Sequence, residues 1–426
     1  RPVRLFLSGP AAGVVGAASI GETVRSKDLI SIDIGGTSCD IALITDGRPK
    51  LHSEGNIEGY PVRVNMVDVN TIGSGGGSLV SFDSVGGLRV GPGSAGADPG
   101  PVCYGRGGEI ATVTDASIVL GYLNPSYFAG GAIKLDLQKA EDVIEKSVAK
   151  AMNLSTEQAA QGILKVINAQ MAEGIRLVSI KRGYDLRDFA IVAFGGAGPL
   201  HATSLADELG IKKVIVPLNP GVLSATGLLS ASIEHEEAIS IQKRLSDISL
   251  SFLTSKLNEL NKKCKAVIQS ETSKLMRKKI RHFADVCYVG QSYHLEIELK
   301  IYDKELLKKI YEDFKLEHNR VYGHSTDSPI KIINLRSVHS VSSNEESKFN
   351  SKNENNGNIY KERRDILLLE SDAKVPVKIY ERRFLKENIQ LIGPAIIEQP
   401  DTTTFIGPNW RALVHSSYNL IVRKNS

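Results

Sequence analysis

Residues 29–45 leave this chain little conformational choice. LISIDI is a β-branched apolar run, GGTSCD is a tight turn, and IALIT is a second apolar run. The segment therefore predicts two strands joined by a glycine hairpin. Glycines at 35 and 36 let backbone N–H groups approach phosphate oxygens without obstruction by a Cβ. Thr37 and Ser38 add hydroxyl donors. A carboxylate at the end of the first strand, Asp33, can hold Mg²⁺, usually through water. Asp40 can orient a water or a second ligand. The plain alternative is a glycine hairpin without a ligand. Phosphate binding is the preferred reading.

A second glycine turn follows the apolar run DFAIVAF. Gly195, Gly196, Ala197 and Gly198 open a helix that carries His201. Strand, glycine turn and helix N-terminus form an anion or nucleotide cradle. The spacing is GGAG rather than GxGxxG, and no acidic residue ends a following strand, so a dinucleotide fold is not indicated. His201 is either a ligand or a packing residue, the second being the commoner role at such a position. Between the two turns, residues 60–108 are Gly-rich and predicted irregular. The apolar flanks make this stretch an ordered, functional segment. Cys103 beside Arg106 is read as a buried inert thiol in preference to a nucleophile. Asp115 is a helix cap or a site carboxylate. Residues 219–227 form either a loop near the nucleotide or simple turn structure.

Helices are expected over LQKAEDVIEKSVAKAMNL and from Ser155 through ILKVINAQMAEGIRLVSIKRG. The small-residue helix before Gly21 suits close packing on a neighbour. The chain length of 426 residues calls for two or three domains. The boundaries drawn are a nucleotide-binding domain at 1–235, an α+β domain at 236–341, a polar linker at 342–362 and a β-rich unit at 363–426. The fold class is α/β. A net charge of +4, not gathered in one stripe, gives no case for nucleic acid. No apolar run is long enough for a membrane span. Four scattered cysteines without CxxC spacing exclude a zinc finger and fit a reducing, cytoplasmic setting. The chain opens Arg1-Pro2-Val3-Arg4 and at once enters a Gly/Ala-rich segment, which reads as the interior of a longer protein.

Seven motifs occur in order: SGPAAGVVGA (8–17), DIGGTSCD (33–40), TIGSGGGS (71–78), ADPGPVCYGRGG (97–108), TVTDASIVLGYL (112–123), FGGAGPLHA (194–202) and PGVLSATGLL (220–229). Together with Tyr322-Gly323, Asn334-Leu335-Arg336, the run Gly393 to Glu398 and Thr402-Thr403-Thr404, they resemble the large ATP-dependent subunit of the hydantoinase A, 5-oxoprolinase and acetone carboxylase family. The resemblance covers nearly the whole chain and is specific for the superfamily, less so for substrate.

It implies one half of an actin-like (ribonuclease H-like) ATPase with a Gly-rich insert, an α+β region and a small C-terminal β unit. The segment Asp33 to Asp40 would be the second phosphate hairpin, and Gly195 to Gly198 the adenosine-side turn. The family's N-terminal half, with its own DxGGT hairpin, is not in this sequence. Two positions depart from the family. Asn70 stands where His is frequent, and an amide cannot act as a base. Cys39 stands where Thr is frequent.

The implied activity is ATP-dependent opening of a cyclic amide with Mg²⁺, together with a hydantoinase B-like partner subunit. Phosphorylation would make the amide oxygen a leaving group, and the chain would position the phosphates and neutralise their charge. An ATP-dependent ketone carboxylase would use the same motifs. A non-catalytic nucleotide-binding scaffold is the third reading, favoured by the missing half.

Overall fold

A computed structural model describes residues 8–52, 55–57, 60–62, 66–180, 183–271, 277–300, 304–342 and 357–425. It divides into two compact units, one of residues 1–181, 185–229 and 350–426, the other of residues 182–184 and 230–349.

The first unit is built on a nine-stranded sheet. The two predicted strands, Leu29–Ile34 and Cys39–Thr45, pair antiparallel near its middle, with Asp33 opposite Asp40. Leu29–Ile34 runs parallel to Ala190–Phe194, which runs parallel to Lys213–Val216. On the other side, Val69–Ile72 and the short Arg48–Pro49 both pair with Cys39–Thr45. The core strands are buried on both faces, so they read as continuous apolar runs rather than alternating ones. The helix Ser8–Thr23 covers one face, packing Val14 and Ala17 with Leu29, Ala42, Ile44, Val192 and Phe194. Its small residues are required there. A Cβ on Gly13 would come within 2.8 Å of both Phe194 and Ser224. The helices Thr156–Ser179 and Gly198–Leu209 lie on the other face. Thr156–Ser179 starts at a capping box in which Ser155 and Gln158 exchange hydrogen bonds.

Three expectations need correction. The segment 60–108 is not irregular throughout, since Ser78–Phe82 and Leu88–Ser94 form an antiparallel hairpin. Residues 219–227 are not a plain loop, because a helix, Leu223–Ser230, begins there. The stretch 363–426 is not a separate β unit. Its strands Gln390–Ile392, Trp410–Val414 and Leu420–Lys424 extend the main sheet, with Leu420–Lys424 antiparallel to Lys213–Val216. The free edge of Lys213–Val216 takes that strand, which buries Leu420, Ile421 and Val422. A four-stranded sheet of Tyr360–Leu367, Lys374–Glu381, Ala395–Gln399 and Thr402–Ile406 belongs to the same unit. Of the proposed linker, residues 343–356 lie outside the described residues, and Tyr360–Leu367 begins within the remainder.

The second unit is a β-α-β-β-α-β arrangement. Its antiparallel sheet has the order Ile233–Arg244, Ile330–Ser342, Arg277–Tyr288, Leu295–Glu298. Leu253, Leu257 and Leu260 of helix Leu250–Glu271, and Ile310 and Phe314 of helix Leu306–Tyr322, form a core with Val286, Ile332 and Leu335. Among the described residues, no helix is long and apolar enough to cross a membrane.

Candidate functional site

Asp33 and Asp40 face each other across the hairpin, so their carboxylates share one face of the sheet. Thr71, opposite Asp40 on the next strand, donates its hydroxyl to Asp40 Oδ1. Ser224, at the start of the helix Leu223–Ser230, donates to Asp33 Oδ2 at 3.3 Å. Burial and the like charge of Asp40 together push Asp33 up to about 6, against a smaller lowering by Ser224.

The turn between the two strands is exposed at Gly36 and Thr37. The Gly35 N–H closes it by donating to Ser38 O at 3.1 Å. A Cβ placed on Gly35 or Gly36 would meet open space. The Gly-rich segment braces the turn from behind. Gly76 N–H donates to Gly35 O at 3.0 Å and Gly77 N–H to Gly36 O at 2.7 Å. That segment is itself held by Thr114, whose N–H and hydroxyl both reach Gly76 O at 2.8 Å.

The second glycine turn lies directly beside the first. Ala197 N–H donates to Ile34 O at 2.9 Å, and Gly195 N–H to Pro220 O at 3.0 Å. Gly195 has φ +79°, and a Cβ there would fall 2.4 Å from Asp33 Oδ1. Only glycine serves at that position. Two of the four proposed donors, Gly195 and Ala197, thus spend their N–H groups within the protein. Of the four residues, Gly196 is the exposed one, and Gly198 is buried at the helix start.

The remaining candidates fall elsewhere. His201 points inward, its Nδ1 2.7 Å from Asn168 Oδ1, and burial lowers it to about 4. It is a neutral packing group. Cys103 is fully buried, with its thiol raised by burial and by Asp115, which suits an inert thiol. Cys39 is buried too, and burial with the nearby Asp40 and Asp33 raises it. Asn70 pairs with Ile41, on the face of the strand away from Asp40. Its buried Nδ2 has no hydrogen-bond partner. Asp115 is the N3 member of a capping box with Thr112. Ser224 and Thr71 lie inside the PGVLSATGLL and TIGSGGGS motifs, but nothing local in the sequence singles them out.

The donor set fits a hard cation bound with a phosphate. Asp33, Asp40 and the Thr37, Ser38, Thr71 and Ser224 hydroxyls are all oxygen donors. A cation would also relieve the Asp33–Asp40 repulsion. Among the described residues no three His, Cys, Asp or Glu side chains converge as a metal cage.

The raised Asp33 has a consequence for stability. The folded chain holds this proton more tightly than the unfolded chain, whose reference value is 3.8. The stabilisation is therefore complete below about 3.8 and is lost as pH rises through about 6. His201 works in the opposite sense, since its contribution is lost as pH falls. Comparison with Asp33→Asn cancels it. Wild type should lose on the order of 2 kcal/mol relative to Asp33→Asn between pH 4 and pH 7.5. Urea melts followed by Trp410 fluorescence at the two pH values measure this. Trp410 is the sole tryptophan and is fully buried in the first unit. A pH-independent gap would show that Asp33 is not perturbed.

The chain belongs to the hydantoinase/oxoprolinase family, whose sequence signature matches residues 1–237, with that of the family's C-terminal domain matching 243–424. Its relatives include the caprolactamase subunit alpha of Pseudomonas jessenii, 32% identical over 98% of this chain and 61% of the relative. The crystal structure of the ATP-dependent caprolactamase from that organism superimposes with a TM-score of 0.87 at 31% identity, over 98% of this chain and 61% of that one. The acetone carboxylase beta subunit of Xanthobacter autotrophicus is 29% identical over 95% of this chain and 59% of its own. The 5-oxoprolinase of Saccharomyces cerevisiae is 29% identical over 98% and 34%. The chain thus spans less than two thirds of the length of each of these relatives.

Proposed function

We propose that this chain is the nucleotide-binding part of an ATP-dependent hydrolase that opens cyclic amides, working with a B-type partner subunit. The observation that carries the reading is the pair of adjoining glycine turns, locked by Ala197 N–H to Ile34 O, with Asp33 and Asp40 beside them. The strand order 69–72, 39–45, 29–34, 190–194, 213–216 supports one half of an actin-like ATPase. Gly36, Thr37 and Ser38 would receive the phosphates, and Asp33 with Asp40 would hold Mg²⁺ through its waters. Bound MgATP would supply the phosphoryl group that turns a lactam oxygen into a leaving group. The residues of this chain orient and neutralise charge, and the hydrolytic step is assigned to the partner. The other half of the cleft would come from the region of the family that precedes this one. ATP-dependent carboxylation of a ketone is the second reading, supported by the likeness to the acetone carboxylase beta subunit.

The test is ATP turnover with Mg²⁺ by the full-length gene product and the products of its neighbouring genes. 5-Oxoproline, hydantoin, caprolactam, and acetone with bicarbonate are added singly. A cyclic amide should stimulate turnover at least about tenfold. Stimulation by acetone with bicarbonate alone would move the assignment to a carboxylase. No stimulation by any compound would leave a scaffold.

A further inference from the structure

The hairpin of Ala395–Gln399 and Thr402–Ile406 turns at Pro400-Asp401, with Gln399 opposite Thr402. Its tip touches both segments that border the second glycine turn. Asp401 Oδ2 accepts from Gly221 N–H at 2.8 Å. Thr402 donates its hydroxyl to Gly196 O at 2.8 Å. Gln399 Nε2 donates to Asp401 Oδ1 at 2.7 Å and to Leu218 O at 3.2 Å. Behind them Arg382 Nη2 donates to Tyr418 O at 2.9 Å and to Pro217 O at 3.4 Å. The glycine turn and the 217–221 segment are also tied directly, by Gly195 N–H to Pro220 O.

This corner is more polar than sheet closure requires. Arg382, Gln399 and Thr402 are all at least nine-tenths buried. Arg382 Nη1 and Gln399 Oε1 find no hydrogen-bond partner. Buried polar groups of this kind are costly, and apolar residues would close a hairpin tip at lower cost. What the polar residues add is a fixed direction for particular backbone groups, and those groups belong to the turn at exposed Gly196 and to its neighbouring loop.

We propose that Asp401 and Thr402 are positioning residues of the nucleotide site, clamping the Gly195–Gly198 turn and the Leu218–Gly221 segment at the separation a bound adenosine moiety needs. The proposal rests on the ATP reading above. Neither side chain contacts the reacting phosphate in this scheme. Both act by holding the backbone segments that would border the adenosine.

The experiment is equilibrium binding of MgATP to the full-length gene product, by competition with a fluorescent ATP analogue, alongside steady-state turnover. Asp401→Ala and Thr402→Val should each raise the MgATP Kd at least about tenfold, with kcat at saturating ATP changed less than about threefold. Asp401→Asn should stay within about threefold of wild type in Kd. Its amide oxygen still accepts from Gly221, the bond by which Asp401 holds that segment, and only the bond from Gln399 Nε2 is given up. Glu398→Gln is the control for general loosening. Glu398 is in the same hairpin but pairs with Lys361 at 2.6 Å and Arg364 at 2.7 Å. It should lower the unfolding midpoint and leave the Kd unchanged. If Asp401→Ala does not fold, Thr402→Val alone decides. Wild-type Kd in Thr402→Val, or equal weakening in Glu398→Gln, overturns the proposal while the ATP reading stands. Failure of the wild-type protein to bind MgATP overturns both.

Discussion

Asp33→Asn should lower substrate-stimulated ATP turnover by about 10²–10³-fold while leaving the protein as stable as wild type at neutral pH, or more so. The two effects have one origin. Asp33 is a half-buried carboxylate held opposite Asp40, and both partial burial and that neighbour oppose its charge. A chain folding for stability alone would not keep two carboxylates there. On the proposed reading, a cation beside them would reverse the balance, because the pair would then be its counter-charge. The amide of Asn fills the same space and still accepts from Ser224, so packing is retained. Turnover measured beside a Trp410-monitored urea melt separates the cases. Retention of more than about a third of wild-type turnover would remove Asp33 from the machinery. Lost turnover with lost stability would make Asp33 a structural group.

Asp115→Ala should give the largest loss of stability, roughly 3–5 kcal/mol. The Asp115 carboxylate is fully buried and accepts from four donors. These are Cys103 N–H at 2.7 Å, Val102 N–H at 3.3 Å, Thr112 N–H at 2.9 Å and the Thr112 hydroxyl at 2.8 Å. Alanine leaves all four without an acceptor, in a place that water does not reach freely. Asp115→Asn should fall between, since one amide oxygen remains while the NH₂ opposes donors. The loss should appear as a Trp410-monitored melting temperature at least about 6 °C below wild type. A change under about 2 °C would mean that the knot around Asp115 is satisfied in some other way. Asp115 joins the Pro101–Tyr104 segment to the helix Val113–Val119, next to Thr114, which braces the Gly35–Ser38 turn through Gly76. Loss of the knot should therefore weaken nucleotide binding as well as the fold.

Both residues show what the sequence could and could not reveal. The hairpin at 29–45 was legible because its signals are local, two apolar runs around a glycine turn. Its antiparallel register then put Asp33 opposite Asp40. The helix from Thr156 was equally plain, opened by Ser155 and carried by apolar residues at helical spacing, whereas its Ser155–Gln158 capping box came only with the fold. The hairpin Ser78–Phe82/Leu88–Ser94 was not, because GLRVGPGS has few residues that favour a strand, and its pairing is set by the segments it packs on. The extension of the main sheet by Leu420–Lys424 was hidden for another reason. Its partner lies some 200 residues earlier, and a strand of five residues carries no mark of the edge it will join. The same distance hid Asp401 and Thr402 from the site. Ser224 and Thr71 stood in marked motifs, but only the fold brings their hydroxyls to the two carboxylates. His201 was the reverse case, conspicuous beside the glycine turn yet directed to Asn168.

The pairing of Leu420–Lys424 with Lys213–Val216 also sets an order of events during synthesis. The residues of the second unit from 230 to 349 are made without interruption and contain their own core. That unit has what it needs to fold as soon as it leaves the ribosome. The first unit does not. Its sheet keeps an open edge at Lys213–Val216 until some 200 further residues have been added, and the hairpin that steadies Gly196 arrives just as late. A ribosome that stalls anywhere in between displays an unfinished sheet with an apolar edge, a ready target for chaperones and for aggregation.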